Sequence, residues 1–302
     1  MKHTFLLLAT ISIFVISCKK SKIDEAPPVT ITKADFALNF KPGGQSFSNA
    51  DINITASPVT IPTSGENQSW DVSGLTISST NVIAGFITPA NAAFVTATYG
   101  FNYTNKFGFG ALQSAGTPAT DYFEVSDNGF FYLGMSTAAT DVLTIASIGG
   151  TLTYAPQNIV ASTRAPQINL PASFNSNNST TNIVSNTNFI ANAPAVGVNN
   201  TPGQVRFTDS INNNIFASGT LTLKNIGKVR VLVNKRSFVQ KTNYFLGGAP
   251  APTALLNLLG LTDGAITTTV SYDYYAPGLG RVGRIFCNAS GTTVLSAFFR
   301  VQ

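Results

Sequence analysis

Many short apolar runs separated by turn residues divide the chain, and this pattern constrains its fold more than any other feature. In the clearest case, residues 121–125 and 130–133 flank the turn segment 126–129 (SDNG). Asn-Gly is the preferred pair for a type I′ turn, whose twist matches two paired antiparallel strands. Repeated short runs of this kind indicate an all-β protein. We therefore predict an antiparallel β-sandwich, or strongly curved antiparallel sheets, with one short helix.

Two regions differ from this strand-and-turn texture. Residues 253–259 (TALLNLL) lie between two prolines and Gly260, which predicts a helix of about two turns. Residues 173–204 are rich in Asn, Ser and Thr, and we expect long surface loops there with at most one short strand. The β-rich globular domain is expected to span 35–302, with a possible subdivision in this loop-rich region.

The first 18 residues have the pattern of an export signal that ends at a cysteine. Lys2 and His3 precede an apolar run over 5–16, which is shorter than the about 20 residues needed to cross a bilayer. The run ends in VISC at 15–18. That order resembles the bacterial lipobox, in which a branched apolar residue, a permissive residue and a small residue precede the cysteine.

The lipobox resemblance implies that the signal peptide, residues 1–17, is cleaved off and that Cys18 carries acyl chains such as palmitate. One chain anchors marginally at about 0.8 kcal/mol per buried methylene, and two or more anchor firmly. Residues 18–34 are then expected to be a lipidated N-terminus and flexible tether. The expected location is the outer membrane, facing the periplasm or the cell surface. The alternative is an ordinary cleaved signal with an incidental cysteine.

The histidine and cysteine content restricts the available chemistry. His3 is the only histidine and lies in the predicted signal. A mature chain without histidine excludes Ser-His-Asp and Cys-His catalysis and histidine-ligated zinc. With Cys18 acylated, Cys287 would be the only free thiol, and its apolar neighbours predict that it is buried and inert. We expect no metal and no cofactor.

Three segments together resemble a loose group of Bacteroidota cell-surface and secreted β-rich proteins of unknown function. They are NQSWDVSGL at 67–75, GTLTL at 219–223 followed by KVRV at 228–231, and YYAPGLGRV at 274–282. The resemblance implies a β-rich envelope or secreted protein, and it carries no catalytic residues to this chain.

Two sets of side chains are candidate binding surfaces, and each has a structural alternative. The single tryptophan and three late tyrosines could stack on sugar rings, although aromatic residues also fill cores. Two of these tyrosines share one strand face and the third lies on the other, so part of the set is expected in the core. A run of basic residues could bind acidic polysaccharide or lipopolysaccharide phosphate, or be a solvated face. The candidate platform is Trp70, Tyr272, Tyr274 and Tyr275, and the candidate basic patch is Lys224, Lys228, Arg230, Lys235, Arg236 and Lys241.

Ser210 and the carboxylates are the remaining candidates. Residues 209–211 (DSI) resemble the Asp-Ser/Thr-apolar acceptor of O-glycosylation in the same bacterial group, and we expect Ser210 to lie near a loop. Paired carboxylates hydrolyse glycosides, but no local pair lies on one strand face. A long-range pair such as Glu124 with Asp273 stays open.

The sequence therefore predicts a non-catalytic, lipid-anchored cell-envelope protein with a structural or interaction role. An alternative is a carbohydrate-binding surface lipoprotein that assists glycan capture. A more distant alternative is a hydrolase that uses carboxylates alone. The expected partners are the membrane, through the acyl chains on Cys18, and a glycan or an envelope protein. Nucleic acid is not an expected partner outside the cell.

Overall fold

A computed structural model describes residues 28–109, 112–176 and 179–302. Within them the chain forms β-strands, four short 3₁₀ turns and a single α-helix, which confirms the predicted all-β class. The helix α1 (Thr253–Leu258) lies where it was predicted. The predicted signal peptide and Cys18 lie outside the described residues. No helix in the described part of the chain is long and apolar enough to cross a membrane.

The strands follow one another with short connections, and most of them form two sheets. In chain order they are β1 (Thr30–Ile31), β2 (Phe47–Ile52), β3 (Gly65–Asp71), β4 (Ile77–Ile83), β5 (Phe86–Ile87), β6 (Tyr99–Asn105), β7 (Gly108–Phe109), β8 (Leu112–Gln113), β9 (Thr117–Ser126), β10 (Gly129–Thr137), β11 (Asp141–Ile145), β12 (Gly150–Tyr154), β13 (Asn158–Asn169), β14 (Ala172–Ser173), β15 (Ser179–Ala193), β16 (Val198–Leu223), β17 (Gly227–Leu246), β18 (Ala249–Pro250), β19 (Ala265–Ala276), β20 (Gly280–Cys287) and β21 (Val294–Arg300).

The larger sheet has the strand order β11-β12-β15-β16-β17-β19-β20-β21-β2-β4. Strand β18 joins it beside β17, and β3 joins it beside β16. The smaller sheet has the order β13-β10-β9-β6-β5. Neighbouring strands in both sheets run antiparallel, and β3 and β16 are the one parallel pair among the described strands.

Strand β16 is 26 residues long and has two successive neighbours on one of its edges. Its first part pairs with β15, and its last part pairs with β3. A bulge between Ile215 and Ala217 separates the two parts. Gly219 permits the second contact, because a Cβ there would lie 2.0 Å from the carbonyl oxygen of Gln68. The glycine therefore lets the β3 backbone approach β16.

The expectation of loops over 173–204 is wrong for most of that region. Residues 179–193 form β15, which pairs with β16 along most of its length. Ile183 and Ala191 are buried on one face, while Asn and Thr side chains alternate with them on the other. Polar composition was mistaken for a loop signal, although an alternating strand needs apolar residues on only one face.

The hairpin predicted around residues 121–133 is confirmed as β9 and β10, but its turn type is not. Ser126 pairs with Gly129, so Asp127 and Asn128 are the central turn residues. Neither has the positive φ that a type I′ turn requires. Gly129 instead lets the Phe131 ring pack closely against the backbone, because a Cβ at this position would lie 2.6 Å from that ring.

The N-terminal segment fills the space between the two sheets. Phe36 is fully buried, with ring centroids 5.2 Å from Phe130 of the smaller sheet and 6.1 Å from Tyr275 of the larger sheet. Val29 and Ile31 are also buried, and β1 pairs with β14. The expected tether of residues 18–34 is therefore wrong at its end, because alternate apolar residues from Val29 onward belong to the core.

A second apolar layer covers the opposite face of the larger sheet. Residues 53–75 cross that face and contribute Val59, Trp70 and Leu75. These side chains pack against a cluster that includes Tyr274 and Phe299. The central strands of the larger sheet are thus covered on both faces, whereas the part formed by β15, β16 and the end of β17 is covered on one.

Candidate functional site

The candidate tyrosine platform is buried. Tyr272, Tyr274 and Tyr275 expose 3%, 1% and 0% of their surfaces. Tyr272 and Tyr274 lie in the layer that contains Trp70, and Tyr275 lies between the two sheets, as the predicted alternation requires. The candidate sugar platform is wrong for all three tyrosines, and not only for the part expected in the core, because β19 is a central strand with both faces covered. These residues stabilise the core rather than offer a surface for sugars.

Trp70 is half-buried and is the most exposed member of this set. Its ring meets Tyr274 edge to face, with 5.5 Å between centroids. Together they line a cavity of 190 Å³ whose other walls include Val59, Leu75 and Phe299. Apolar side chains of the second layer form most of the cavity wall, with Thr60, Ser69 and Asp71 as its polar members, so Trp70 closes a core layer.

The candidate basic patch is divided between the two faces of β17. Side chains alternate along the strand, so Lys228, Arg230 and Arg236 lie on the face toward the smaller sheet. Lys235 and Lys241 lie on the opposite face, and Lys235 sits over the Tyr272 ring at 5.9 Å. Lys224 is exposed in the turn after β16. The prediction of a single basic patch is therefore wrong, because odd and even positions of one strand cannot share a face.

The opposite face of β15, β16 and β17 carries an ordered set of polar side chains, which we call the amide face. Inward residues such as Ile183, Ile211 and Phe238 pack toward the smaller sheet, so their neighbours point outward. The outward set is joined across strands by side-chain hydrogen bonds. The amide face consists of Thr180, Asn186, Asn188, Gln204, Arg206, Asn212, Lys241, Asn243 and Phe245.

Arg206 is held at the centre of the amide face. Its Nε donates to Oδ1 of Asn186 at 3.3 Å, and its guanidinium lies 4.8 Å from the centroid of the Phe245 ring. Beside it, Nε2 of Gln204 donates to Oδ1 of Asn188 at 3.0 Å. Four of these side chains, Asn188, Gln204, Arg206 and Phe245, line a surface depression of 300 Å³. The arrangement presents amide groups, a cation and an aromatic ring in one place.

Ser210 lies on the amide face in the middle of three paired strands. It is opposite Asn182 of β15 and Val239 of β17, and it is half-buried. The expectation of a nearby loop is wrong, for the same reason that the loop expectation for 173–204 is wrong. Ser210 remains a candidate O-glycosylation acceptor on a strand rather than on a loop.

The suggested carboxylate pair does not form. Glu124 binds Arg164, with 2.5 Å between Oε1 and Nη1. Asp273 is fully buried and forms a two-pronged ion pair with Arg284, in which Nη2 lies 3.0 Å from Oδ2. The Glu124–Arg164 pair thus lies in the smaller sheet, and the Asp273–Arg284 pair lies in the larger sheet.

Three arginines that face the smaller sheet form a cluster that the sequence analysis largely missed. Arg236 was assigned to the basic patch, and Arg281 and Arg284 were not singled out. Arg284 is opposite Asp273, Arg281 is opposite Tyr275, and Arg236 lies on the neighbouring strand. The sequence of β20 contains a pattern that could have identified the cluster. Val282 and Ile285 pack in the second apolar layer, so Arg284 between them faces the smaller sheet. We call Arg236, Arg281 and Arg284 the arginine cluster.

The surroundings shift the pKa values of the three arginines in different directions. Burial lowers the pKa of Arg236 to about 10, and the nearby charge of Arg284 adds to this effect. Burial and the same neighbour also lower the pKa of Arg281. Burial acts in the same direction on Arg284, but the charge and hydrogen bonds of Asp273 outweigh it and raise the pKa of Arg284. Asp273 therefore favours the charged form of all three arginines, but only for Arg284 does its effect outweigh burial.

The side chains that could bind a metal ion are scattered in the described part of the chain. Among residues 28–109, 112–176 and 179–302, no group of three or more His, Cys, Asp and Glu side chains is arranged to hold a metal ion. Cys287 is fully buried in an apolar cluster.

Comparisons with family models, with curated proteins and with solved structures gave no match.

Proposed function

We propose that this protein is a non-catalytic binding protein of the bacterial cell envelope, held in the outer membrane by acyl chains on Cys18. Its role is interaction with a partner in the envelope. One observation carries the proposal. The amide face is a solvent-facing array of hydrogen-bonding side chains on three paired strands, several of which are joined to one another by hydrogen bonds. Rigid strands position such groups more accurately than loops do.

A glycan is the partner that suits the amide face. Amide and guanidinium groups donate and accept hydrogen bonds in the geometry that sugar hydroxyls need. The Phe245 ring offers an apolar surface beside them, and the depression of 300 Å³ reaches the lower end of the usual range for ligand sites. This favours the glycan-capture alternative, with the aromatic contact at Phe245 instead of at the tyrosines.

The charge of the amide face favours an acidic glycan. Arg206 and Lys241 project from this face, and the outward positions of β15, β16 and β17 contain no carboxylate. Asp263 reaches its margin, where both carboxylate oxygens accept from Asn243 at 3.2 Å. An excess of positive charge attracts uronic acid or phosphate groups, and this attraction weakens with added salt.

A glycan array at two salt concentrations tests the proposal. The processed protein, kept in detergent, is compared with Arg206→Ala, Phe245→Ala and the exposed control Lys224→Ala. We expect binding to acidic glycans that both amide-face variants lose and the control keeps. Absence of binding from the folded protein would refute glycan capture and leave an envelope protein as the partner. Release of new reducing ends from a bound glycan would contradict the non-catalytic role.

A further inference from the structure

We propose that the arginine cluster between the two sheets is a binding site for a phosphate group, either as free phosphate or on a small phosphorylated molecule. The site is separate from the amide face, because Arg236 points to the opposite side of β17 from Lys235 and Lys241. The inference therefore does not depend on glycan capture. It depends on the placement of three guanidinium groups and on the lack of an ion-pair partner for two of them.

Strand register places the three guanidinium groups on one face of two nearby strands. Arg281 and Arg284 belong to β20, and Arg236 belongs to β17, with β19 between them. Arg284 is opposite Asp273, and Arg236 is opposite Ser271, which is two residues from Asp273 along the same face. Side chains at such positions are within reach of one another when they are long.

The cluster has more positive charge than its neighbours balance. Asp273 pairs with Arg284. Among the described residues, Arg236 and Arg281 form no ion pair, and the buried Nε of Arg236 has no hydrogen-bond partner. Asp209 lines the same cavity as Arg236 but accepts a hydrogen bond from Gln240, and burial raises its pKa. In the described part of the chain, no carboxylate thus lies within ion-pair distance of Arg236 or Arg281, although Asp273 attracts both from farther away and Asp209 attracts Arg236.

An unbalanced pair of sheltered cations is costly unless an anion accompanies them. Removing a charge from water without a partner costs several kcal/mol in proteins, and arginine cannot escape this cost by losing its proton near neutral pH. A phosphate group carries a charge of about −1.5 to −2 at pH 7 and has several strong acceptor oxygens. Its charge matches the two unpaired guanidinium groups better than a single carboxylate does.

Each guanidinium packs near an aromatic ring, which limits the orientations that it can take. Arg236 lies 5.4 Å from the Phe238 centroid, Arg281 lies 5.7 Å from the Phe298 centroid, and Arg284 lies 5.2 Å from the Phe286 centroid. Planar guanidinium groups bind phosphate through two parallel hydrogen bonds, and a group that is already oriented loses less freedom on binding.

Space for the ligand lies beside Arg236. A cavity of 160 Å³ between the sheets is lined by Arg236, Gln167, Asp209 and Tyr132 together with apolar side chains, and Arg281 and Arg284 are not among its lining residues. Tyr132 donates to Asp121 at 3.3 Å, so its hydroxyl is already used. The volume is enough for a phosphate group and a small attached moiety, which is why the proposal includes small phosphorylated molecules and excludes polymers.

Calorimetric titration at constant ionic strength tests the phosphate site. The processed protein is titrated with inorganic phosphate and with glucose 6-phosphate, and with glucuronate as a monoanionic control. The variants are Arg236→Gln and Arg281→Gln, which leave the Asp273–Arg284 pair intact, and Arg206→Gln is the matched control on the amide face. We expect phosphate binding that weakens about tenfold or more in Arg236→Gln, weakens by less in Arg281→Gln, whose charge acts from outside the cavity, and is unchanged in the control.

Thermal unfolding without ligand separates binding from folding defects. Removing an unpaired cation relieves repulsion, so we expect each cluster variant to unfold at the same or a higher temperature than the wild type. A preference for glucose 6-phosphate would identify a phosphorylated molecule as the ligand, and equal affinities would identify the phosphate group itself. The proposal is refuted if millimolar phosphate does not bind, or if both cluster variants bind it as tightly as the wild type.

Discussion

The ion pair between Asp273 and Arg284 gives the sharpest prediction for stability. Asp273 is fully buried, and the Arg284 side chain is 12% exposed. Asp273→Asn keeps the shape of the side chain but leaves Arg284 without its anion, beside two other arginines. Breaking a buried pair from one side costs about 3–5 kcal/mol, because the remaining charge stays away from water. We expect a loss of that size in the free energy of unfolding.

Urea denaturation measures this loss directly. A decrease of 3–5 kcal/mol shifts the midpoint by about 1 M or more if the slope is near the upper end of the usual range. Asp127→Asn is the matched control, because Asp127 is 88% exposed and lies 3.7 Å from Lys33. Exposed pairs of this kind contribute under about 1 kcal/mol.

Two further measurements would expose an error in this reasoning. The double variant Asp273→Leu with Arg284→Met removes both charges, and its stability should return close to that of the wild type. Added phosphate should raise the unfolding temperature of Asp273→Asn more than that of the wild type, because the cluster has one more unpaired cation. A loss below about 1 kcal/mol in Asp273→Asn would show that the pair is solvated, and the charge analysis would then be wrong.

Three other predictions concern β16, Asp121 and Cys18. Gly219→Ala places a Cβ against the Gln68 backbone and should lower the free energy of unfolding by about 1–3 kcal/mol. The fluorescence of Trp70 on β3 should shift to the red. In the control Gly74→Ala the new Cβ has no atom within 4 Å, so neither the stability nor the fluorescence should change. Burial raises the pKa of Asp121 to about 6 despite hydrogen bonds from Tyr103 and Tyr132, so the folded state holds a proton that the unfolded state has released. Stability should therefore fall by up to about 3 kcal/mol as pH rises from 4 to 6, and urea titrations of Asp121→Asn should lack that fall. Cys18→Ala should abolish labelling with a palmitate analogue and release the protein from the membrane fraction, and retention with undiminished label would contradict acylation at Cys18.

The sequence predicted local features that depend on neighbours within one strand or turn. Alternation in β19 correctly separated Tyr272 and Tyr274 from Tyr275, and flanking prolines and Gly260 correctly located α1. It did not predict that both faces of β19 are covered, because the covering layers come from residues 29–40 and 53–75, far away in the chain. Periodicity indicates which residues share a face but not what lies on that face.

The errors over 173–204 and the basic patch have one physical origin. Both came from composition within a segment, Asn and Ser content in one case and Lys and Arg content in the other. In a strand, the period of two divides any such segment between opposite environments. Asn186 and Asn188 thus project from the amide face while Thr187 between them is buried. Reading odd and even positions separately would have divided the basic patch and identified β15 as a strand.

The same alternation makes the two proposed sites on β17 separable by experiment. Lys235 and Arg236 are adjacent in sequence, yet one side chain lies over the Tyr272 ring on one face and the other lies over the Phe238 ring on the opposite face. A side chain on one face of a strand does not contact a ligand on the other. If phosphate binding at the arginine cluster changed glycan affinity at the amide face, β17 itself would have to transmit the effect through its backbone. Arg236→Gln would then alter glycan binding without touching the glycan, and Arg206→Gln would alter phosphate binding by the same factor, since coupling between two sites is reciprocal.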